Sequence, residues 1–223
     1  MKHQLTALLI MTTLLIQAAP PTAPEFRDGR YYEANSETPF SGYYTRYYNG
    51  SNARQSEGKI KDGLMNDAWT FYYANGNLKG TVEYADGVKI KVLNSFYETG
   101  EKESEFDENK QVFTTWYKSA KVKSITNYMY GLKEGSSIEW YENGTVKSDY
   151  TYYTHHEHGI CKEYFENGQV ALVAVYRDGK KSGFWQAFYP DGKLKFQGRY
   201  SDDFKTGRWV TRDAEGKLTK QAF

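Results

Sequence analysis

The sequence predicts an all-β fold, an extended antiparallel meander of about eight stacked β-hairpin repeats. Three observations carry that prediction. Asn-Gly or Asp-Gly recurs behind a pair of aromatic residues along most of the 223-residue chain. Two glycine series keep a 24-residue step, one through Gly144, Gly168, Gly192 and Gly216, the other through Gly135, Gly159, Gly183 and Gly207. No stretch beyond the N-terminal segment shows a helical period.

The elements follow in chain order. Lys2 and His3 precede an apolar run over residues 5–16, and Gln17, Ala18 and Ala19 follow it. A basic start, a short apolar run and small residues read as a secretory signal peptide over residues 1–18. The run is shorter than the roughly 20 residues a spanning helix needs. The mature chain is therefore expected to be exported (periplasmic, secreted or at the cell surface), without a transmembrane domain. Residues 19–39, with Pro20, Pro21 and Pro24, read as a stiff linker and a candidate N-terminal cap. Residues 40–223 are the repeat domain.

Composition narrows the functional classes. Basic and acidic side chains nearly cancel, 29 against 28, which excludes an electrostatic nucleic-acid binder. A mean hydropathy of −0.79 excludes a polytopic membrane protein. Aromatic residues make up 17% of the chain, too many for a disordered one. A single Cys excludes an intramolecular disulfide framework.

The repeat units are Tyr47-Tyr48-Asn49-Gly50, Tyr72-Tyr73-Ala74-Asn75-Gly76, Trp140-Tyr141-Glu142-Asn143-Gly144, Tyr164-Phe165-Glu166-Asn167-Gly168 and Phe188-Tyr189-Pro190-Asp191-Gly192. Degenerate units end at Gly100, Ala120 and Gly216. Asn-Gly suits a two-residue type I′ hairpin turn, which needs positive φ at both residues. Asp62-Gly63, Asp86-Gly87 and Asp178-Gly179 mark a second turn, between hairpins. The step is 26 between Gly50 and Gly76 and 20 between Gly100 and Ala120, so irregular loops are expected at both places.

With the turn glycine as position zero, a two-residue loop pairs −3 with +2 and −4 with +3. The core face then takes −7 (Tyr43, Trp69, Leu93, Phe113, Ser137, Cys161, Trp185, Trp209), with the tyrosines at −3 and +8 and the Leu or Val at +2. The second face takes the aromatic row at −4, namely Tyr72, Phe96, Trp116, Trp140, Tyr164 and Phe188. Lys79, Lys123, Lys147 and Lys195 at +3 are expected to lie against Tyr72, Trp116, Trp140 and Phe188. The sixth copy, 170–175, is apolar on both faces, so Ala171, Val173 and Val175 are candidate partner-binding residues together with the −4 row.

Little in the sequence points to chemistry. His155, His156 and His158 flank Glu157, but they occupy a between-hairpin turn and lack a distant fourth ligand. Cys161 stands at a core position. No carboxylate pair and no phosphate-cradling glycine loop stands out. No catalytic, metal or cofactor residue is assigned, and an enzyme is not expected.

Gly183-Phe184-Trp185 through Leu194 and Gly207-Arg208-Trp209 through Leu218 resemble the MORN-type repeat, and the 24-residue spacing is similar to its bacterial variant, found in YwqK-type antitoxins. The resemblance implies an all-β scaffold that binds other molecules, and for the variant family it implies neutralising a toxin. The leading expectation is an exported, non-enzymatic scaffold for a protein partner. The alternative is a cell-envelope glycan-binding module that uses the −4 aromatics.

Overall fold

The computed structural model describes residues 23–213 and 215–223, so the signal-peptide reading lies outside the described residues. A small hairpin, β1 (Glu25–Arg27) and β2 (Arg30–Tyr32), comes first. Eight larger hairpins follow. The first four pair β3 (Gly42–Tyr47) with β4 (Arg54–Lys61), β5 (Leu64–Tyr72) with β6 (Leu78–Ala85), β7 (Val88–Phe96) with β8 (Lys102–Asp107), and β9 (Val112–Trp116) with β10 (Val122–Met129). The fifth is β11 (Leu132–Trp140) with β12 (Val146–Tyr153). In the sixth, β13 (His156–Glu157) and β14 (Gly159–Tyr164) form one side and β15 (Val170–Arg177) the other. The last two pair β16 (Lys180–Phe188) with β17 (Leu194–Ser201), and β18 (Phe204–Arg212) with β19 (Leu218–Ala222). All pairings are antiparallel between consecutive strands, apart from β12, which bonds to both β13 and β14. β3 is registered only on β4, and β19 only on β18. The fold is the all-β meander expected, and no helix occurs among the described residues.

The two turn types are exchanged relative to expectation. At the Asn-Gly units only the glycine has positive φ, as at Gly144 (92°). Tyr141 N–H donates to Thr145 O, and Gly144 N–H donates back to Tyr141 O. That is a three-residue loop ending in a left-handed glycine. The type I′ turns lie between hairpins instead, where both Asp178 (51°) and Gly179 (78°) are positive and Arg177 pairs with Lys180.

The odd loop length shifts every pairing near the turn. Trp140 (−4) faces Val146 (+2), and one step on, Glu139 (−5) faces Ser148 (+4), with Lys147 (+3) as an extra bulged residue. The Leu and Val at +2 therefore leave the core face and lie beside the −4 aromatics, while the +3 lysines move to the core face. Lys79, Lys123 and Lys195 stack over Tyr73, Tyr117 and Tyr189 of their own hairpins at 5.5, 5.7 and 5.6 Å. The expected pairs with Tyr72, Trp116 and Phe188 do not form, and Lys147 instead ion-pairs with Glu139 at 2.9 Å.

The inner face thus carries −9, −7, −5 and −3 with +3, +4, +6 and +8, and it holds the buried side chains. The second glycine series, at −9, sits where the strand register slips, as opposite Asn127 for Gly135 (φ 79°). The 26-residue step is a longer loop: Tyr48 N–H reaches Ala53 O, which moves Tyr44 rather than Tyr43 inward and leaves Tyr43 68% exposed. The 20-residue step has its irregular loop too: the turn between β8 and β9 spans four residues, 108–111, where the other between-hairpin turns have two. The strands β8 and β9 on either side of it are short, and their register lacks the usual slip. The N-terminal hairpin docks on the first between-hairpin turn. Tyr31 N–H donates to Gly63 O, Gly63 N–H donates to Phe40 O, and Tyr31 packs on Tyr44 at 5.5 Å.

A ladder of tyrosine hydroxyls joins successive repeats. Each −3 hydroxyl donates to the −4 carbonyl of the next hairpin, as in Tyr73 to Phe96 (2.9 Å), Tyr117 to Trp140 (2.7 Å) and Tyr141 to Tyr164 (2.9 Å). Phe165 has no hydroxyl, so the ladder skips the junction between the sixth and seventh hairpins. The turn asparagines add a second set of bonds: Asn143 Nδ2 donates to Glu166 O, and its Oδ1 accepts from Thr145 N–H.

Candidate functional site

On the inner face, each −7 residue meets the +6 residue of the preceding hairpin, and their combined volume fills or opens the space above the sheet. At the C-terminal end the slots are Ala174 with Trp185 and Gly198 with Trp209. A Cβ on Gly198 would come within 2.2 Å of the Trp209 ring, so only glycine fits. The same device recurs near the N-terminus with Gly58 and Trp69. Tyr150 with Cys161 reverses the sizes. Thr126 with Ser137 is small on both sides; the two hydroxyls bond to each other at 2.8 Å, with Thr126 buried and Ser137 half-buried.

A groove of about 620 Å³ opens over that slot, within the usual size range of small-ligand sites. Its floor is lined by Ser124, Thr126, Ser137 and Ser148, and by Thr115, whose hydroxyl meets that of Ser124 at 2.7 Å. Tyr141, Tyr150 and Tyr152 form aromatic walls. The Tyr150 hydroxyl donates to Glu163 Oε1 at 2.5 Å, and burial together with that carboxylate raises the tyrosine pKa. Lys147 is tied to Glu139, which raises its own pKa, and Lys133 lies over Tyr152 at 4.8 Å. The groove runs on toward the third hairpin, where a further cavity of about 310 Å³ shares Thr115 and Lys123 with it and adds Ser95 and Ser104, paired at 2.7 Å.

The residues singled out from sequence lie on the outer face. Tyr72, Phe96, Trp116, Trp140, Tyr164 and Phe188 are all half-buried and follow one another along the turn edge. Beside them stand Leu78, Val122, Val146, Val170 and Leu194, so the row is largely an apolar stripe, with Arg54 over Tyr72 at 4.7 Å and Lys102 over Trp116 at 5.6 Å. Val173 and Val175 project on the same face and are half-buried, and Ile160, paired with Val175, is 60% exposed. Phe184, on the next hairpin, is 37% exposed. Ala171, at the bulge position +3, belongs to the inner face by the same register that carries the lysines there.

The groove was not anticipated from the sequence. The one available signal was Ser137, the sole polar residue in a row of Trp, Tyr, Phe, Leu and Cys. Of the histidines, His158 Nδ1 lies 3.2 Å from Asp178 Oδ1, while His155 and His156 are exposed. No group of three or more metal-binding side chains occurs among the described residues. Cys161 is fully buried, and burial pushes its thiol pKa up.

Four segments, residues 68–86, 133–152, 157–178 and 183–202, match the family model described as MORN repeat variant. The chain carries MORN-variant repeats. The third, fourth and eighth hairpins share their turn geometry, as at Gly100 and Ala120, whose N–H groups bond back to Tyr97 and Tyr117. No curated protein matches the chain. Among solved structures, a chain of the GtfA/B complex bound to UDP and GlcNAc is similar at 12% identity and a TM-score of 0.22, over 53% of this chain and 24% of that one. A chain of the TcdB2-TccC3-Cdc42 structure is similar at 10% identity and a TM-score of 0.21, over 88% of this chain and 15% of that one. This chain therefore spans about a quarter or less of the solved chains it matches.

Proposed function

We propose that the protein is a non-enzymatic scaffold that seats a protein partner on its outer sheet face. The observation that carries this reading is the register at the turn edge. It sets a Val or Leu at +2 beside most of the −4 aromatics, making one apolar stripe that widens over Ile160, Val173, Val175 and Phe184. Contiguous apolar surface of this kind on a MORN-variant sheet fits docking, because an isolated exposed side chain is ordinary and a continuous row is not. The buried thiol and the paired carboxylates Glu139 and Glu163 support the non-enzymatic part. With residues 1–18 as an export signal, the partner is an envelope or secreted protein, and the antitoxin resemblance makes a toxin the specific candidate.

Affinity capture from the native envelope tests this, with wild-type protein run beside Val173→Asp and Ser137→Trp. The outer-face reading expects one partner retained by the wild type and Ser137→Trp and released by Val173→Asp. Retention by all three, or no partner at all, would count against it.

A further inference from the structure

We propose that the inner groove over Thr126 and Ser137 is a second binding site, and that its ligand is a neutral oligosaccharide. Nothing in the outer-face reading requires this site, and its test is separate.

The lining of the groove suits neither an apolar nor an anionic ligand. An apolar ligand would leave the second proton of each floor hydroxyl pair without an acceptor, and unpaired buried polar groups are costly. An anionic ligand would want free cations. Of the three lysines on its lining, Lys147 is paired with Glu139 at 2.9 Å and Lys123 and Lys133 lie over the Tyr117 and Tyr152 rings, while the Glu163 carboxylate would repel a phosphate. What the groove offers is a dense set of hydroxyls, each able to donate and to accept. Thr126 with Ser137 and Thr115 with Ser124 already bond in pairs, so each pair can rotate a donor or an acceptor outward. A sugar ring presents the complementary pattern, hydroxyls around its edge that both donate and accept.

The walls supply the second half of the match. The faces of a sugar ring carry C–H groups, and these want flat apolar surface beside the polar floor. Tyr141, Tyr150 and Tyr152 provide rings at the groove wall. The Tyr150 ring is fixed by its hydroxyl bond to Glu163, and Tyr141 by its bond to the Tyr164 carbonyl. Rings held in this way lose little rotamer freedom when a ligand arrives.

Length is the third observation. The groove continues past Thr115 and Lys123 to Ser95 and Ser104, and Trp185 fills the inner face at the other end. A linear chain of several sugar units fits such a trough better than a single monosaccharide.

The test is calorimetric titration of the full chain with neutral hexasaccharides of glucose, xylose and N-acetylglucosamine, with a hydrophilic hexapeptide mixture as the competing class. The groove-filling pair Thr126→Gly with Ser137→Trp copies the Gly198–Trp209 slot. Ser148→Val keeps the floor shape and removes one hydroxyl, in case the pair fails to fold. At least one hexasaccharide should bind, with affinity falling at least tenfold in the filled variant and severalfold in Ser148→Val, and unchanged in Val173→Asp. Binding of none of the three sugars, equal binding by the floor variants, or binding of the peptides alone would overturn the proposal.

Discussion

The fifth hairpin and the eighth use one structural slot in opposite ways. In the eighth, Trp209 lies over Gly198 and joins a stack that runs Tyr176, Trp185, Tyr200, Trp209, with centroid spacings of 5.4, 5.2 and 5.0 Å. In the fifth, Ser137 meets Thr126 and the volume above them stays open. The backbone frame is shared, with the same turn bonds and the same register slip against the preceding hairpin, although only the fifth carries a bulge after its turn. The difference teaches that the repeat frame does not need a filled inner face at every step. Backbone pairing and the tyrosine ladder hold the middle hairpins, and packing at the ends leaves the middle open.

The largest expected break in this comparison is at the filled end. A buried aromatic contributes roughly 4–6 kcal/mol of gross transfer free energy. Trp209→Ala should cost about 3–5 kcal/mol, against less than about 1.5 kcal/mol for Ser137→Ala, in chemical denaturation of the two variants. Equal losses would mean that the groove floor is packed as tightly as the tryptophan end.

Filling the groove sharpens the contrast from the other side. Thr126→Gly with Ser137→Trp should raise stability by about 1–2 kcal/mol, after the cost of a strand glycine, and lift Tm by about 2–8 °C in a calorimetric scan. A lower Tm would show that the middle backbone cannot take the tryptophan geometry.

Alkali should weaken the filled end by a smaller step. Burial raises the Tyr176 pKa to about 12, while an unfolded tyrosine ionises near 10. The contribution is whole below about pH 10 and is lost as pH rises toward 12, because only the unfolded chain gives up the proton there. Tyr176→Phe should flatten that part of the stability profile, and an unchanged slope would assign it to other tyrosines.

The smallest effect concerns the junction that separates the two regions. Phe165→Tyr should restore the missing ladder bond and add about 1 kcal/mol, while Tyr117→Phe should remove one and cost about the same. Hydrogen exchange on either side of Phe165 would register the change locally.

Much of the fold was legible because glycine spacing and aromatic rows record a repeat directly. The −3 and +8 rows and most of the −7 row do line the inner face, since alternation along a strand survives the turn; the exceptions are Tyr43, turned out by its longer loop, and Leu93, which a register shift displaces so that Val92 faces Val82. The loop length was not legible. Asn-Gly suits a two-residue turn, but here the asparagine is kept for its side chain, which bonds Glu166 O across the repeat and Thr145 N–H within it. One residue of loop and one bulge then moved the lysines inward and Val146 outward. The groove hid for a related reason. It is made by the absence of bulk at Thr126 and Ser137, and a missing side chain leaves a weak mark in a sequence.

The tyrosine ladder also has a direction. Each hydroxyl belongs to the earlier hairpin and each accepting carbonyl to the later one, from Tyr48 with Tyr72 to Tyr189 with Arg212. A chain emerging N-terminus first therefore carries a waiting donor at its growing end, and each new hairpin except the seventh, which follows Phe165, closes a bond with the one already made. The scaffold can lengthen by adding units after the last without altering those before it, an arrangement suited to vectorial folding and to growth by duplication.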